Sequence, residues 1–365
     1  MFRGRDRELD WDVSEGADRE ARRRGTIFLP AAIGAPVAFG EVFERIFPEL
    51  TRLHASFSRD GLLAVAAWDG SVMADYVHVP LGREPEFVIV GRHDRCDLSL
   101  HRDPTLSLRH AVIGARALGG ELRLRFLDLH SGLGFHTEDG QRCEALSADG
   151  AMFVRMGGYH LFLLPTGSLA PLPWGGTAEE TWKMIPDRIY RDFRVAQRHP
   201  EVAALRPDPG RPQSIITKII DPPGMLRPLR PAPGDRGPRV ARIELSSENG
   251  RERFSLHESD LERGILVGRY ERCQLGSADE KMSRVHLLII RDGLETWAID
   301  TGSTNGTKVA GESIRRAALR EGTALELGKH ISLRWCAPGN EPDEPPAPVD
   351  GERAERTSDA DLLAP

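Results

Sequence analysis

Two stretches of this 365-residue chain carry the same short motifs in the same order. Each stretch has a Gly-Arg pair, then a Ser-x-x-His motif, then an aspartate before a glycine-containing turn, and finally a glycine ahead of an alternating apolar segment. The first stretch contains Gly91-Arg92, Ser107 to His110, Asp128 to Gly134 and Met156-Gly157, and the second contains Gly268-Arg269, Ser283 to His286, Asp300 to Gly306 and Leu327-Gly328. Four matched motifs at similar spacings indicate a duplicated domain, so the chain must build the same fold twice.

Short apolar segments with a two-residue period surround these motifs. Leu122 to Phe126 alternates apolar residues with arginine, and Ile331, Leu333 and Trp335 repeat the period in the second stretch. This spacing is typical of half-buried strands, and many short strands separated by conspicuous loops favour β-sandwiches. We therefore predict an all-β fold of two sandwiches, with Trp297 and Trp335 in the core of the second.

Changes in composition divide the chain into six segments. They are a flexible N-terminus (1–24), an extension that could pack on the first sandwich (25–71), the first sandwich (72–165), a Pro-rich linker with room for a short helix (166–238), the second sandwich (239–336) and a disordered tail (337–365). Within the extension we expect a helix over Glu41 to Leu50 and a hairpin over Leu53 to Trp68, with its turn at Asp60-Gly61. We assign no function to the extension.

Charge and cysteine content exclude several classes of partner. The chain has 49 basic and 55 acidic residues and a formal net charge of −6, which gives no sign of a nucleic-acid or anionic-membrane partner. Its four cysteines are scattered, which favours a reducing compartment. The uncharged stretch from Gly25 to Gly40 is interrupted by prolines and is shorter than the roughly 20 residues that a spanning helix needs. We expect a cytoplasmic protein without a membrane partner.

The second stretch carries the more complete set of motifs. These are Gly268-Arg269, Ser283-Arg284-Val285-His286, Gly302-Ser303-Thr304-Asn305-Gly306-Thr307 and Gly328. In this order and at these spacings they closely resemble the forkhead-associated (FHA) domain family. The resemblance covers about residues 240–336, and a weaker version covers about 72–165. It implies an eleven-stranded β-sandwich whose loops at one end bind phosphothreonine peptides.

The resemblance also implies roles for five side chains. Arg269 resembles the family's phosphate-binding arginine, Ser283 supplies a hydroxyl donor, and Arg284 stands where a polar side chain also reaches the phosphate. Thr304 resembles a second donor to the phosphate, and Asn305 resembles the asparagine that hydrogen-bonds to the peptide backbone. These types suit the ligand, because a phosphothreonine carries about −1.5 to −2 charges and three strong acceptor oxygens.

Three further residues are expected to support the loops. The resemblance implies that Gly268, His286 and Gly306 brace them, and a glycine at position 306 is suited to a turn because it accepts positive φ. In isolation His286 resembles a metal ligand or a general base. No histidine, cysteine or carboxylate stands at ligand spacing from it, so we predict neither a metal nor a cofactor. Cys273, matched by Cys96, is expected to be a small core residue.

The first stretch departs from the FHA pattern at three of the five positions. It carries Leu108, Gly132 and Leu133 where the second stretch has Arg284, Thr304 and Asn305, and it keeps Arg92 and Ser107. A leucine side chain cannot hydrogen-bond to a peptide. We expect weak or absent phosphothreonine binding, with Arg92 and Ser107 as a residual site. This copy could serve instead as a packing partner, a dimerisation surface or a phospho-independent site.

No catalytic motif accompanies these features. The P-loop, the dinucleotide fingerprint, His-Glu-x-x-His, the kinase set and Gly-x-Ser-x-Gly are all missing from the sequence, so we predict no enzyme and no catalytic residues. The leading hypothesis is a phosphothreonine-dependent adaptor that acts downstream of a Ser/Thr protein kinase. The alternative is a phospho-independent scaffold that uses both sandwiches as interaction surfaces. An unrecognised enzyme in residues 1–70 is a third, weaker hypothesis.

Two threonines raise the question of self-recognition. Thr217 has an aliphatic residue three positions later, and Thr26 follows the basic run Arg22 to Arg24. Once phosphorylated, either could be the domain's own ligand, which would switch the protein between an open and a closed form or drive self-association. The simpler interpretation is that both are ordinary threonines.

Overall fold

A computed structural model describes residues 6–8, 37–70, 72–170, 174, 176–192, 237–247, 250–270, 272–276, 280–328 and 330–338. Thr26, Thr217 and the predicted tail beyond residue 338 lie outside these described residues. Within them the chain forms two β-sandwiches, which confirms the predicted all-β fold. No helix in the described ranges is long and apolar enough to cross a membrane.

The first half of the chain contains one short N-terminal strand, a long helix and eleven strands of the first sandwich. In chain order they are β1 (Asp6–Glu8), α1 (Phe39–Ala55), β2 (Gly61–Trp68), β3 (Val72–Pro80), β4 (Glu86–Gly91), β5 (Leu98–Ser99), β6 (Ala111–Leu118), β7 (Glu121–Asp128), β8 (Phe135–His136), β9 (Arg142–Cys143), β10 (Ala145–Asp149), β11 (Met152–Met156) and β12 (Tyr159–Thr166). A 3-10 turn over Gly167–Leu169 and helix α2 (Ala178–Met184) follow.

The second half of the described chain contains one helix and eleven more strands. They are β13 (Arg239–Ser247), β14 (Gly250–His257), α3 (Glu258–Arg263), β15 (Ile265–Gly268), β16 (Leu275–Gly276), β17 (Leu287–Asp292), β18 (Glu295–Asp300), β19 (Thr307–Val309), β20 (Glu312–Ile314), β21 (Arg316–Ala318), β22 (Ala324–Glu326) and β23 (Ser332–Cys336).

The two sandwiches have the same strand order. In the first, a sheet β3-β2-β12-β11-β8-β9 faces a sheet β10-β7-β6-β4-β5. In the second, the corresponding sheets are β14-β13-β23-β22-β19-β20 and β21-β18-β17-β15-β16. The one addition is β1, which pairs in parallel with the edge strand β14, so three residues of the segment expected to be flexible form a strand. The sequence repeat is therefore a repeat of topology.

The N-terminal extension is part of the first sandwich rather than a separate unit. Helix α1 confirms the helix predicted over Glu41 to Leu50 and extends beyond it at both ends. The predicted hairpin over Leu53 to Trp68 is wrong, because its first residues end α1 and Asp60 directly precedes β2. The hairpin that forms joins β2 to β3 through Asp69 and Gly70, both of which have positive φ.

The described part of the linker packs on the first sandwich. Thr177 and Glu180 form a capping box at the start of α2, and the helix ends before Pro186. Trp182 on α2 contacts the Phe43 ring at 5.2 Å between centroids, which joins α2 to helix α1. The short helix allowed for by the sequence is therefore present, and it covers the outer face of the first sandwich.

The five-stranded sheets of the two sandwiches pack against one another. Between them lies an apolar cluster, here the interface cluster, to which both sandwiches contribute; its buried members are Ile89, Cys96, Val112, Leu127, Leu129, Ala145, Leu266, Cys273, Leu288, Ile290, Trp297 and Ile299. Trp297 and the two cysteines thus lie between the sandwiches, not in a sandwich core as predicted. Trp335 does lie in the core of the second sandwich. Because each copy buries its five-stranded sheet against that of the other, the two sandwiches form one packed body.

Candidate functional site

A pocket of about 190 Å³ lies among the loops at one end of the second sandwich. We call it the loop pocket. All five residues singled out from the sequence line it: Arg269, Ser283, Arg284, Thr304 and Asn305. They come from three separate loops, which follow β15, precede β17 and follow β18. The fold therefore brings together side chains that are up to 36 positions apart in the sequence.

Arg269 is exposed at the mouth of the loop pocket but is held at its base. Its backbone N–H donates to the Ser283 carbonyl oxygen at 3.0 Å, and its Nε donates to the Met282 carbonyl oxygen at 3.2 Å. At Gly268 a Cβ atom would collide with the Arg284 carbonyl oxygen, so the close approach of these loops requires glycine. The guanidinium is thereby held at its Nε end.

Ser283 and Thr304 connect two of the loops directly. The Ser283 hydroxyl oxygen accepts a hydrogen bond from the Thr304 backbone N–H at 2.9 Å, and its proton points to Thr304 Oγ1 at 3.4 Å. Ser283 is buried and Thr304 is exposed. The serine hydroxyl thus holds the loop that carries Thr304.

Asn305 is exposed beside the same pocket. Its Nδ2 donates to the Lys281 carbonyl oxygen at 2.6 Å, which turns the side chain toward the loop before β17. Because Nδ2 is used in this way, Oδ1 is the atom that can accept a hydrogen bond from a ligand N–H.

His286 joins the same two loops from below. Its Nδ1 accepts the Ser283 backbone N–H at 3.3 Å, and its Nε2 donates to the Gly306 carbonyl oxygen at 3.2 Å. These partners require the neutral tautomer with its proton on Nε2. Burial lowers the pKa of His286, against an opposing effect of Asp300, and so favours that neutral form. Gly306 has φ of +72°, as the turn requires.

Asp300 is a site residue that sequence reasoning did not select. Its carboxylate accepts the Ser303 backbone N–H at 2.7 Å, the Ser303 hydroxyl at 2.6 Å and the Thr307 hydroxyl at 2.7 Å. It thereby shapes the loop that carries Thr304 and Asn305. The signal was available, because Asp-x-x-Ser recurs at Asp128 and Ser131 in the first stretch.

The first sandwich repeats this framework without the ligand-facing groups. Arg92 Nε donates to the Leu106 carbonyl oxygen at 3.2 Å, and the Ser107 N–H donates to His110 Nδ1 at 3.1 Å. In its turn, however, Arg142 donates to the carbonyl oxygens of Gly132 at 2.8 Å and Leu133 at 3.0 Å. The two turn residues at the positions of Thr304 and Asn305 thus have their carbonyl oxygens bound by an arginine of the first sandwich itself.

Three residues of the first sandwich line the loop pocket of the second: His93, Leu108 and Arg109. The Arg109 Nε donates to the Thr301 carbonyl oxygen at 2.5 Å, and its NH2 group donates to the Gly302 carbonyl oxygen. No local sequence motif predicts these contacts, because they depend on how the two sandwiches pack.

Other features of the described residues point to no second chemistry. They contain no group of three or more His, Cys, Asp or Glu side chains that could hold a metal ion. A second pocket, of about 200 Å³, lies between α2 and the first sandwich, and its lining includes Trp174, Met184 and Ile185. Its wall is largely apolar, unlike that of the loop pocket.

Comparisons with known proteins agree with this geometry. The family model described as FHA domain matches residues 265–328, which include all five predicted ligand-binding residues. No curated protein matches the chain. The residues that the second sandwich contributes to the loop pocket therefore lie in a segment that is similar to FHA domains.

Several solved structures are similar to about a quarter of the chain. An FHA domain from a structural and functional analysis of phosphothreonine-dependent FHA domain interactions is 27% identical, covers 27% of this chain and 98% of its own, and has a TM-score of 0.24. The FhaA FHA domain, solved with the intracellular domain of Rv3910, is 28% identical with coverages of 26% and 98% and a TM-score of 0.22. FHA-1 of Rv1747 from Mycobacterium tuberculosis is 22% identical with coverages of 27% and 97% and a TM-score of 0.23.

Proposed function

We propose that the chain is a phosphothreonine-dependent interaction protein whose second sandwich reads the phosphate in the loop pocket. The observation that carries this proposal is the convergence of Arg269, Ser283, Arg284, Thr304 and Asn305 on one pocket from three loops. The family model over residues 265–328 supports it, because FHA domains bind phosphorylated motifs through such loops.

The chemistry of the pocket suits a phosphorylated side chain. Arg269 and Arg284 supply positive charge, and Thr304 supplies an exposed hydroxyl next to them. Hydrogen bonds between charged groups are worth about 1.5–3 kcal/mol each, so an anchored arginine can dominate the affinity. Asn305, on the rim, is placed to accept a hydrogen bond from the backbone of an extended peptide.

The proposed ligand is a phosphothreonine segment of a partner protein, made by a Ser/Thr protein kinase. The chain would then act as an adaptor rather than an enzyme. If Thr26 or Thr217 of another copy is phosphorylated, the loop pocket would bind it by the same chemistry, and self-association would follow. Binding by the first sandwich, which we interpret as a degenerate FHA copy, is expected to be weak or absent because its turn carries Gly132 and Leu133 in place of Thr304 and Asn305.

The alternative is a phospho-independent scaffold. Each sandwich already packs its five-stranded sheet against the other, and helices α1 and α2 cover the six-stranded sheet of the first sandwich. The surfaces left for a scaffold are therefore the six-stranded sheet of the second sandwich, the loops and the outer faces of the helices. Such a protein would bind its partner with or without phosphate, and this difference separates the two proposals.

A peptide titration with matched arginine variants tests the proposal. A phosphothreonine peptide library and its unphosphorylated counterpart would be titrated against the wild type, Arg269→Ala and Arg92→Ala. Arg92 is the matched control, because it makes the same Nε contact in the first sandwich. We expect Arg269→Ala to weaken binding at least about tenfold and Arg92→Ala to leave it unchanged. Affinity that ignores the phosphate, or that survives Arg269→Ala, contradicts the proposal.

A further inference from the structure

The loop pocket is not built by the second sandwich alone. His93, Leu108 and Arg109 of the first sandwich stand in its wall, opposite residues that come from the second. The two copies are therefore joined at the proposed ligand site as well as through the interface cluster.

The first sandwich also holds the loop that carries two ligand-facing residues. Arg109 donates to the carbonyl oxygens of Thr301 and Gly302, and Arg95 donates to that of Ser303 at 2.8 Å. Three consecutive carbonyl groups ahead of Thr304 are thus bound by arginines of the other copy. The position of Thr304 and Asn305 consequently depends on the first sandwich.

These contacts are only partly the product of internal symmetry. Arg272 of the second sandwich donates to the His130 carbonyl oxygen at 2.9 Å, which resembles the contact of Arg95 with Ser303 but lies one position earlier in the turn. Arg109 has no such mirror, because Val285 occupies its equivalent position and packs against the interface cluster. The additional cation faces only the pocket of the second sandwich.

The described lining of the loop pocket carries more basic than acidic side chains. Among these residues are Arg109, Arg269, Lys281 and Arg284, and one carboxylate, that of Glu280. A phosphothreonine brings about −1.5 to −2 charges. Burial lowers the pKa of Arg109, Cys96 and the Asp300 carboxylate oppose that effect, and the positive charges of Arg95 and Arg284 add to it. A second anionic group on the ligand would give this group of cations a further partner.

We propose that the two sandwiches form one composite site, in which Arg109 and the adjacent wall of the first sandwich select a second anionic group near the phosphothreonine. The group is either an acidic side chain or another phosphate, since both present oxygens to a guanidinium. This inference rests on the proposed function of the loop pocket. It gives the degenerate copy a specificity role at its neighbour's site.

The test compares three kinds of phosphothreonine peptide by titration. The first has neutral flanks. The second is a series in which one acidic residue is placed at each flanking position in turn, and the third carries a second phosphate at the position that binds most tightly in that series. The proteins are the wild type, Leu108→Glu and Arg109→Gln, with Leu133→Glu as the control. Leu133 is 46% exposed and also lies in the first sandwich, but it does not line the loop pocket.

We expect the wild type to bind the two acidic peptides about tenfold more tightly than the neutral one. Leu108→Glu should abolish that preference, whereas Leu133→Glu should preserve it. Comparing the affinities of the acidic-residue and diphosphorylated peptides identifies the second anionic group, because the preferred group gives the tighter binding. Leu108→Glu leaves the contacts of Arg109 with Thr301 and Gly302 in place, so it remains informative if Arg109→Gln disturbs folding.

The outcomes separate this inference from the proposed function. If the wild type requires phosphate and Arg269, but shows no preference for acidic flanks or keeps it in Leu108→Glu, the composite site is refuted and the phosphothreonine reader stands. If the wild type binds no phosphothreonine peptide, the proposed function fails and the composite site fails with it.

Discussion

The Ser283 hydroxyl accepts the backbone N–H of Thr304, 21 positions further along the chain, at 2.9 Å. This bond connects the loop before β17 to the loop after β18 and sets the distance between the two sides of the loop pocket. The ligand-facing residues are thus arranged before any ligand arrives, and this limits the entropy lost on binding.

Replacing Ser283 with alanine should weaken phosphothreonine binding about tenfold or more, because the Thr304 N–H loses its acceptor and the loops separate. Isothermal titration with a phosphothreonine peptide measures the loss. Ser107→Ala, at the equivalent position of the first sandwich, is the control and should leave affinity unchanged. Equal losses in both variants would mean that the phosphate is read elsewhere or by both copies.

Acidification should destabilise the fold in part through His286. Burial holds the pKa of this histidine below its ordinary value of 6.5, so the unfolded chain takes up a proton more readily than the folded one. Its contribution to stability is therefore complete above pH 6.5 and is lost as the pH falls through the lowered value. Chemical unfolding between pH 7.5 and 5 should show this loss of free energy.

The matched variant for that experiment is His286→Gln, which cannot titrate. It should be less stable than the wild type at neutral pH by about 1–3 kcal/mol, because a buried hydrogen-bonding group is replaced imperfectly. Its stability should fall less between pH 7.5 and 5. An identical fall in the two proteins would exclude His286 as a contributor.

Substituting alanine for Trp297 should loosen the contact between the sandwiches. Trp297 is 2% exposed and lies in the interface cluster, so the cavity should cost about 3–5 kcal/mol. Scanning calorimetry should then resolve two unfolding transitions in place of one. Trp335→Ala removes a similar side chain from the core of the second sandwich and leaves the interface cluster intact, so it should lower the unfolding temperature without splitting the transition.

The ion pair between Arg188 and Glu138 should be important for the packing of the segment after α2. Both side chains are largely buried, and the guanidinium donates to the carboxylate at 2.7 and 2.8 Å. Arg188→Met leaves a buried carboxylate without its cation and should cost about 3–5 kcal/mol in unfolding free energy. Lys183→Met breaks the exposed pair with Glu179 and should cost at most about 1 kcal/mol.

The pocket could be predicted from the sequence because its signals are local. Ser-x-x-His, Gly-Arg and the glycine turn each keep their geometry within a few residues, and the repeat supplied an internal comparison. Asp300 was missed although it follows the same logic, since its carboxylate organises a loop and does not face the ligand.

The packing of the sandwiches could not be predicted, although one signal indicated burial. The strand β17 contains an unbroken apolar run, in which Leu287 and Ile289 enter the core of the second sandwich while Leu288 and Ile290 enter the interface cluster. Such a run shows that both faces of a strand are buried. It does not say what covers the second face, and the prediction for Trp297 failed for this reason.

The predicted hairpin over Leu53 to Trp68 is wrong for the same reason, because an apolar run does not say what covers each face of a strand. Leu62 to Ala67 is also an unbroken apolar run, and β2 is covered on one face by the sandwich core and on the other by α1. The Asp-Gly pair at 60–61 was interpreted as a turn between two strands. It instead follows a helix, because the periodicity of a short apolar segment cannot distinguish the two contexts.

The packing of the two five-stranded sheets against each other has a practical consequence for studies of the second sandwich in isolation. A fragment cut from the linker to residue 336 would carry Leu266, Leu288, Trp297 and Ile299 on an uncovered face, where they invite aggregation. It would also lack the arginines that hold the loop ahead of Thr304. An intact loop pocket therefore needs both sandwiches, and their contributions are better separated by point substitution than by truncation.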